Sequence, residues 1–311
     1  MDTAIMVCGH GSRDNDALVE FERVAAGLRR RLPAADIATG YLEFARPTIR
    51  DGLETLKSRG ARRILAIPGM LFAASHVKND LPWEINSFAQ ANPDIELRFG
   101  RELAIEPKLL SAAAERIAAA ELRGMRAIAR RDTLLLVVGR GTNDPDANSN
   151  IAKLARMLWE GMGFGWAETA FSGVAYPLVE PGLKRALGLG FPRVIVFPYF
   201  LFTGVLVKRI YAAAGRVAAA HPEIELLKAA YLGDHPLVLD CFADRAAEVL
   251  DGEPAMNCRL CKYRAQVIGY EDDHLAPQAG HHHHVRGIGT DADHAGHHHH
   301  GNGHHHPHDG D

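Results

Sequence analysis

Residues 6–17 read MVCGHGSRDNDA, and residues 136–147 read LVVGRGTNDPDA. The frame is shared: Gly9 and Gly139, Gly11 and Gly141, Ser12 and Thr142, Asp14 and Asp144, Asp16 and Asp146, Ala17 and Ala147. An apolar run, a glycine-flanked turn and an aspartate ahead of a helical pattern therefore occur twice. Only the centre of the turn changes in chemistry, from His10 to Arg140.

The match runs outward from this stretch at a constant offset of 130 residues. Pro47 falls on Pro177, Gly52-Leu53 on Gly182-Leu183, Pro68 on Pro198, Leu71-Phe72 on Leu201-Phe202 and Val77-Lys78 on Val207-Lys208. One residue is then lost, after which Pro93-Asp94-Ile95-Glu96-Leu97 lies on Pro222-Glu223-Ile224-Glu225-Leu226, and Pro107 on Pro236. A period this long marks a duplicated domain, not a solenoid.

Within the first half, TAIMVC, DIATGYL, RRILAIPGM and IELRFG have the apolar character of buried strands. Helical patterns alternate with them in ALVEFERVAAGLRRRL, TIRDGLETLKSRG and NDLPWEINSFAQ. The second half repeats the alternation with TLLLVVG, IAKLARMLWEGM, ETAFSGVA, PGLKRALGLG, VIVFPYF and IELLKAAYL. Strands separated by single helices imply right-handed βαβ crossovers and a parallel sheet covered on both faces. The expected fold is α/β: two tandem duplicated flavodoxin-like or Rossmann-like domains with parallel sheets, spanning residues 1–122 and 131–251. Residues 252–311 hold a CxxC and 14 of the 18 histidines, spaced by Gly, Asp and Pro. They have too little apolar periodicity to offset their ordering entropy and read as a disordered C-terminal tail.

Composition sets outer bounds. With 311 residues, 47% of them apolar, the chain can bury a large core. A formal charge of −3 offers no basic stripe for nucleic acid or anionic lipid. No apolar run approaches the roughly 18–20 residues of a membrane span, and the first residues follow a strand pattern rather than a signal peptide. A soluble, cytoplasmic protein with no nucleic-acid or membrane partner is expected. The four cysteines do not form a disulfide framework; Cys8 and Cys241 sit in apolar surroundings and read as buried small hydrophobes.

Ligands of open parallel sheets bind beyond the carboxyl ends of the strands. In the first half His10 follows the first strand, Glu43 the second and His76 the third. Two imidazoles and a carboxylate suit a divalent transition metal, and serve equally for acid–base work. At the matching second-half positions stand Arg140, Gly173 and Leu206, so all three groups are lost together. The GHGSR turn by itself lacks the spacing of a phosphate-binding loop.

GHGSR after the first strand, YLEFARPTI, and PGMLFAASHVKNDLP after the third strand together resemble the sirohydrochlorin chelatases, class II enzymes that insert cobalt, iron or nickel into a tetrapyrrole. The resemblance spans both halves and implies two chelatase domains with the tetrapyrrole in the cleft between them. It also implies that His10 and His76 bind the metal and handle the pyrrole protons, with Glu43 as proton acceptor or third ligand. Arg140 then faces the substrate as a partner for a carboxylate, and Ser12 and Arg13 join it as substrate-binding candidates. The expected partners are sirohydrochlorin and Co²⁺, the latter as substrate metal, with a homodimer left open.

The segment MNCRLCKYR resembles the MxCxxC motif of the long cobaltochelatases of cobalamin synthesis. That resemblance makes Cys258 and Cys261 candidate ligands of an iron–sulfur cluster. Two thiolates are half of a usual cluster site, so further ligands, a redox dithiol and a metal-transfer pair all stay open. The histidine clusters at residues 281–284, 297–300 and 304–308 read as a metal reservoir feeding the enzyme, with a solubilising tail as the alternative. The leading expectation is insertion of Co²⁺ into sirohydrochlorin with release of two protons. Iron or nickel insertion at the same site, and a non-catalytic metal storage or delivery protein, are the alternatives.

Overall fold

The computed structural model describes residues 3–252; Cys258, Cys261 and the histidine clusters lie outside the described residues. The first half contains β1 (Thr3–Gly9), α1 (Asn15–Arg31), β2 (Asp36–Tyr41), α2 (Ile49–Ser58), β3 (Arg63–Pro68), α3 (Leu81–Ala91), β4 (Glu96–Phe99) and α4 (Pro107–Glu121). The second half contains β5 (Thr133–Gly139), α5 (Pro145–Met162), β6 (Trp166–Phe171), α6 (Val179–Leu187), β7 (Arg193–Pro198), α7 (Val205–Ala220), β8 (Glu225–Lys228) and α8 (Pro236–Asp251). Each half forms a four-stranded parallel sheet, in the orders β2-β1-β3-β4 and β6-β5-β7-β8. The strand order reverses between β1 and β3, which is where a doubly wound sheet opens a crevice.

Alternation along the central strands sorts the cores. Ile5 and Val7 of β1 face the same apolar cluster as Leu135 and Val137 of β5, together with residues of α1, α4, α5 and α8. Ala4, Met6 and Cys8 face the outer layer under α2 and α3, and Leu134, Leu136 and Val138 face the outer layer under α6 and α7. One core is thus shared between the two sheets and each sheet has its own outer core. Cys8 and Cys241 are buried thiols, as their surroundings in the sequence suggest.

The alternation read from the sequence does not bring out α4, α7 or α8. α4 and α8 are also not where a simple tandem pair would put them. α4 packs on α5, β7 and β8 of the other half, while α8 packs on α1 and β3 of the first half, and the two helices lie against each other. The approach of α8 to α1 is close enough that a Cβ at Gly27 would meet Leu239 at 2.6 Å. Helices covered by both halves are apolar over much of their circumference. Alanine-rich stretches such as SAAAERIAAAE therefore show no sharp polar face.

Two arginines related by the repeat pin this exchange. Arg116 of α4 donates to the carbonyl of Leu232 (2.8 Å), and Arg245 of α8 donates to the carbonyl of Leu103 (2.8 Å). Arg116 corresponds to Arg245, and Leu103 to Leu232, at the offset that follows the one-residue loss.

Candidate functional site

Three loops at the carboxyl edge of the first sheet bring the site together. The turn after β1 is locked onto the turn after β2 by backbone bonds from Leu42 N–H to Gly9 O and from Glu43 N–H to His10 O, both 3.0 Å. Gly11 has φ of +90°, and a Cβ there would lie 1.7 Å from the Glu43 carbonyl. Glycine is what lets these two loops touch. The second half repeats the arrangement: Ser172 N–H and Gly173 N–H donate to Gly139 O and Arg140 O. There a Cβ on Gly141, at φ of +82°, would lie 1.9 Å from the Gly173 carbonyl. The duplicated glycines therefore belong to the fold, independent of which side chain occupies the centre of the turn.

His10, Glu43 and His76 each present a donor atom, and these atoms lie within 4.8 Å of one another. Two donors about 2.1 Å from a shared ion are at most about 4.2 Å apart, so side-chain shifts of a few tenths of an ångström suffice to share one ion. His76 Nε2 is already 3.9 Å from Glu43 Oε1. The two imidazoles stand edge to face with ring centroids 4.6 Å apart.

Hydrogen bonds fix which ring nitrogen faces the centre. His10 Nδ1 lies 3.0 Å from the Gly11 carbonyl, which can only accept, so Nδ1 carries the proton and Nε2 keeps its lone pair. His76 Nδ1 lies 2.7 Å from Asp80 Oδ2 and is held the same way. The pKa of His10 is lowered to about 4, chiefly by burial and then by the charges of His76 and Arg140. Neutral imidazole is the form that binds a metal.

Asp80 is the site residue the sequence reading misses. Its signal was the i, i+4 spacing from His76 in HVKND, at the head of an otherwise apolar helix pattern. Residues His76–Asp80 form a π-helical turn ahead of α3, a geometry that recurs at functional sites.

Arg140 lines the same cleft as His10 and His76, although it comes from the other half. The cleft consists of two adjoining lobes of about 410 and 700 Å³ that share His76, Arg140, Gly141 and Thr142. Phe44, Phe72 and Phe202 give its walls an apolar character. The Arg13 guanidinium sits 4.9 Å above the Phe44 ring at the cleft's edge. Ser12 also lines the cleft, but its hydroxyl accepts from Asp14 N–H (3.0 Å), as the Thr142 hydroxyl accepts from Asp144 N–H (2.7 Å). A role shared by both copies is a turn-forming one.

Two lysines bracket the cleft with crossed ion pairs. Lys78 reaches Asp144 and Asp146 at 2.6 and 3.2 Å, and Lys208 reaches Asp14 and Asp16 at 2.8 Å each. These are the aspartates and lysines that the repeat preserves. Asp14 and Asp144 also cap α1 and α5.

No described helix is long and apolar enough to cross a membrane. The CbiX family model matches residues 4–120 and again residues 134–249. A sirohydrochlorin cobaltochelatase of Priestia megaterium is 36% identical over 271 residues, covering 87% of this chain and 88% of the relative. A sirohydrochlorin ferrochelatase of the same organism is 29% identical over 235 residues, covering 76% and 85%. Among solved structures, SirB from Bacillus subtilis with Fe³⁺ superposes with a TM-score of 0.70 at 26% identity, covering 81% of this chain and 96% of that one.

Proposed function

The chain belongs to the CbiX family, and from that premise we propose that it inserts Co²⁺ into sirohydrochlorin where His10, Glu43 and His76 converge. The observation that carries the reading is the pairing, in one cleft, of that donor set with Arg140 on the facing wall. Relatives that act on sirohydrochlorin with cobalt and with iron support the substrate class. Cobalt is favoured by the higher identity and longer match to the cobaltochelatase. The MxCxxC motif at Met256, Cys258 and Cys261 also favours it.

Insertion replaces two pyrrole N–H protons by one M²⁺ and releases two H⁺. The Nε2 atoms of His10 and His76 and the Glu43 carboxylate replace water around the ion with ligands that exchange readily; an all-thiolate site would hold a soft metal too firmly to surrender it. As the macrocycle nitrogens take the ion, the donors it leaves are free to accept the protons. Glu43, a buried carboxylate beside both imidazoles, is one such acceptor. The apolar walls suit the flat ring. Arg140 suits its carboxylates, because a guanidinium binds a carboxylate with two parallel hydrogen bonds.

Anaerobic absorbance assays with sirohydrochlorin and Co²⁺, Fe²⁺ or Ni²⁺ in turn test the reading. The highest kcat/KM is expected with Co²⁺; a clear preference for Fe²⁺ would transfer the assignment to the iron enzyme. Arg140→Ala is expected to raise the KM for sirohydrochlorin by about tenfold, the equivalent of one charge-assisted hydrogen bond, with little change in the KM for the metal. An unchanged KM for sirohydrochlorin would remove Arg140 from the substrate site.

A further inference from the structure

We propose that Asp80 is a positioning residue of the chelatase site: its buried carboxylate holds the His76 ring so that Nε2, and not Nδ1, faces Glu43 and the incoming ion. This rests on the chelatase reading above and adds a residue that acts through His76 without touching metal or macrocycle.

The geometry is direct. Asp80 is 1% exposed, against 21% for the His76 side chain, and its Oδ2 lies 2.7 Å from Nδ1. The carboxylate accepts from Nδ1–H, which leaves the lone pair on Nε2, the atom 3.9 Å from Glu43. A histidine ligand whose outer nitrogen is tied to a carboxylate is fixed in tautomer and orientation and is more basic toward the metal. The backbone serves the same contact. Leu81 N–H bonds to His76 O, the wider π-type closure, and this turn carries both partners.

The internal repeat supplies an independent comparison. At the positions of His76, Asp80 and Glu84 the second half has Leu206, Ile210 and Ala214. There the same stretch runs as the regular helix α7, with Ile210 and Ala214 in the apolar core. Asp80 and Glu84 are each 1% exposed in the first half, between Val77, Leu81 and Ile85 of the equivalent core. The fold is therefore built with an apolar column at these positions as readily as with a polar one, and burying carboxylates carries a desolvation cost. That cost is met only in the half that carries His76, and His10 and Glu43 are lost from the sister half with it. Glu84 extends the column behind the site toward β1, where its charge, after burial itself, raises the pKa of the Cys8 thiol.

The test is a kinetic double-mutant cycle in the full chain, with free Co²⁺ set by a metal buffer so that the histidine-rich tail does not deplete it. Asp80→Ala is expected to lower kcat/KM for Co²⁺ by about 10–100-fold, with the KM for sirohydrochlorin unchanged. It is expected to add nothing in a His76→Ala background. Asp80→Asn, which keeps an oxygen acceptor and nearly the same shape, should recover part of the loss and also be silent without His76. The proposal is overturned if Asp80→Ala and Asp80→Asn insert cobalt at the wild-type rate. It is equally overturned if their losses persist in the His76→Ala background, or if the KM for sirohydrochlorin rises instead. Undiminished insertion by His76→Ala alone would strike earlier, at the metal site itself.

Discussion

His10→Ala and His76→Ala are each expected to reduce cobalt insertion by about 10²–10⁴-fold, the range associated with losing a positioned proton-transfer group, while sirohydrochlorin still binds. The two imidazoles come from loops after different strands and offer Nε2 to one centre, so neither substitutes for the other. Burial, His76 and Arg140 lower the pKa of His10 to about 4; an alanine there removes an imidazole that is neutral at any physiological pH. On the proposed reading, the tetrapyrrole is held instead by the apolar walls and by Arg140, which neither change removes. Quenching of sirohydrochlorin fluorescence measures binding and the absorbance change measures insertion. Loss of both together would mean that the variant has lost its cleft, and loss of neither would remove His10 and His76 from the chemistry.

Arg245→Ala is expected to cost about 2–3 kcal/mol of stability, the scale of leaving buried carbonyls without their donor, while leaving the site's chemistry untouched in the folded fraction. Arg245 is 1% exposed. Its guanidinium donates to the carbonyls of Glu102 (3.0 Å) and Leu103 (2.8 Å), pairs with Glu248 at 2.6 Å and makes a further short bond to Glu106. Without it, two carbonyls lose their donor and Glu106 and Glu248 keep Arg101 as their counter-ion, beside the core where α8 crosses to the first sheet. Exposed ion pairs elsewhere on the surface, such as Arg156–Glu160, are worth a small fraction of this. Urea unfolding measures the difference; a loss below about 1 kcal/mol would show that water replaces the arginine and that the crossing is not held there.

The parts of this molecule that were legible in its sequence are those where the two copies could be set against each other. Glycines common to both turns marked the fold, and the histidines and glutamate present in one copy marked the group of side chains that the fold brings together. The repeat also displayed Asp14, Asp16 and Lys78 with their counterparts. Their pairing across the cleft stayed hidden, because sequence alignment relates equivalent positions and says nothing about which copy's lysine meets which copy's aspartate. Asp80 was masked for a different reason. It lies inside a helical pattern, where an aspartate ordinarily faces water, and its near-complete burial comes from tertiary packing alone. The exchange of α4 and α8 was masked by alanine, whose small side chain permits burial on several sides without an amphipathic signature.

The same exchange bears on why one chain carries both halves. Two identical half-length subunits clasped through swapped last helices would be related by a true twofold axis, and every residue on one wall of their cleft would recur on the other. Such a cleft has either two His/Glu/His sets facing each other or two arginines facing each other, and cannot have one of each. Covalent tandem linkage breaks that constraint. It allows one wall to lose its imidazoles and carboxylate and become cationic while the opposite wall keeps them, so a single flat anionic guest is offered one orientation rather than two equivalent ones.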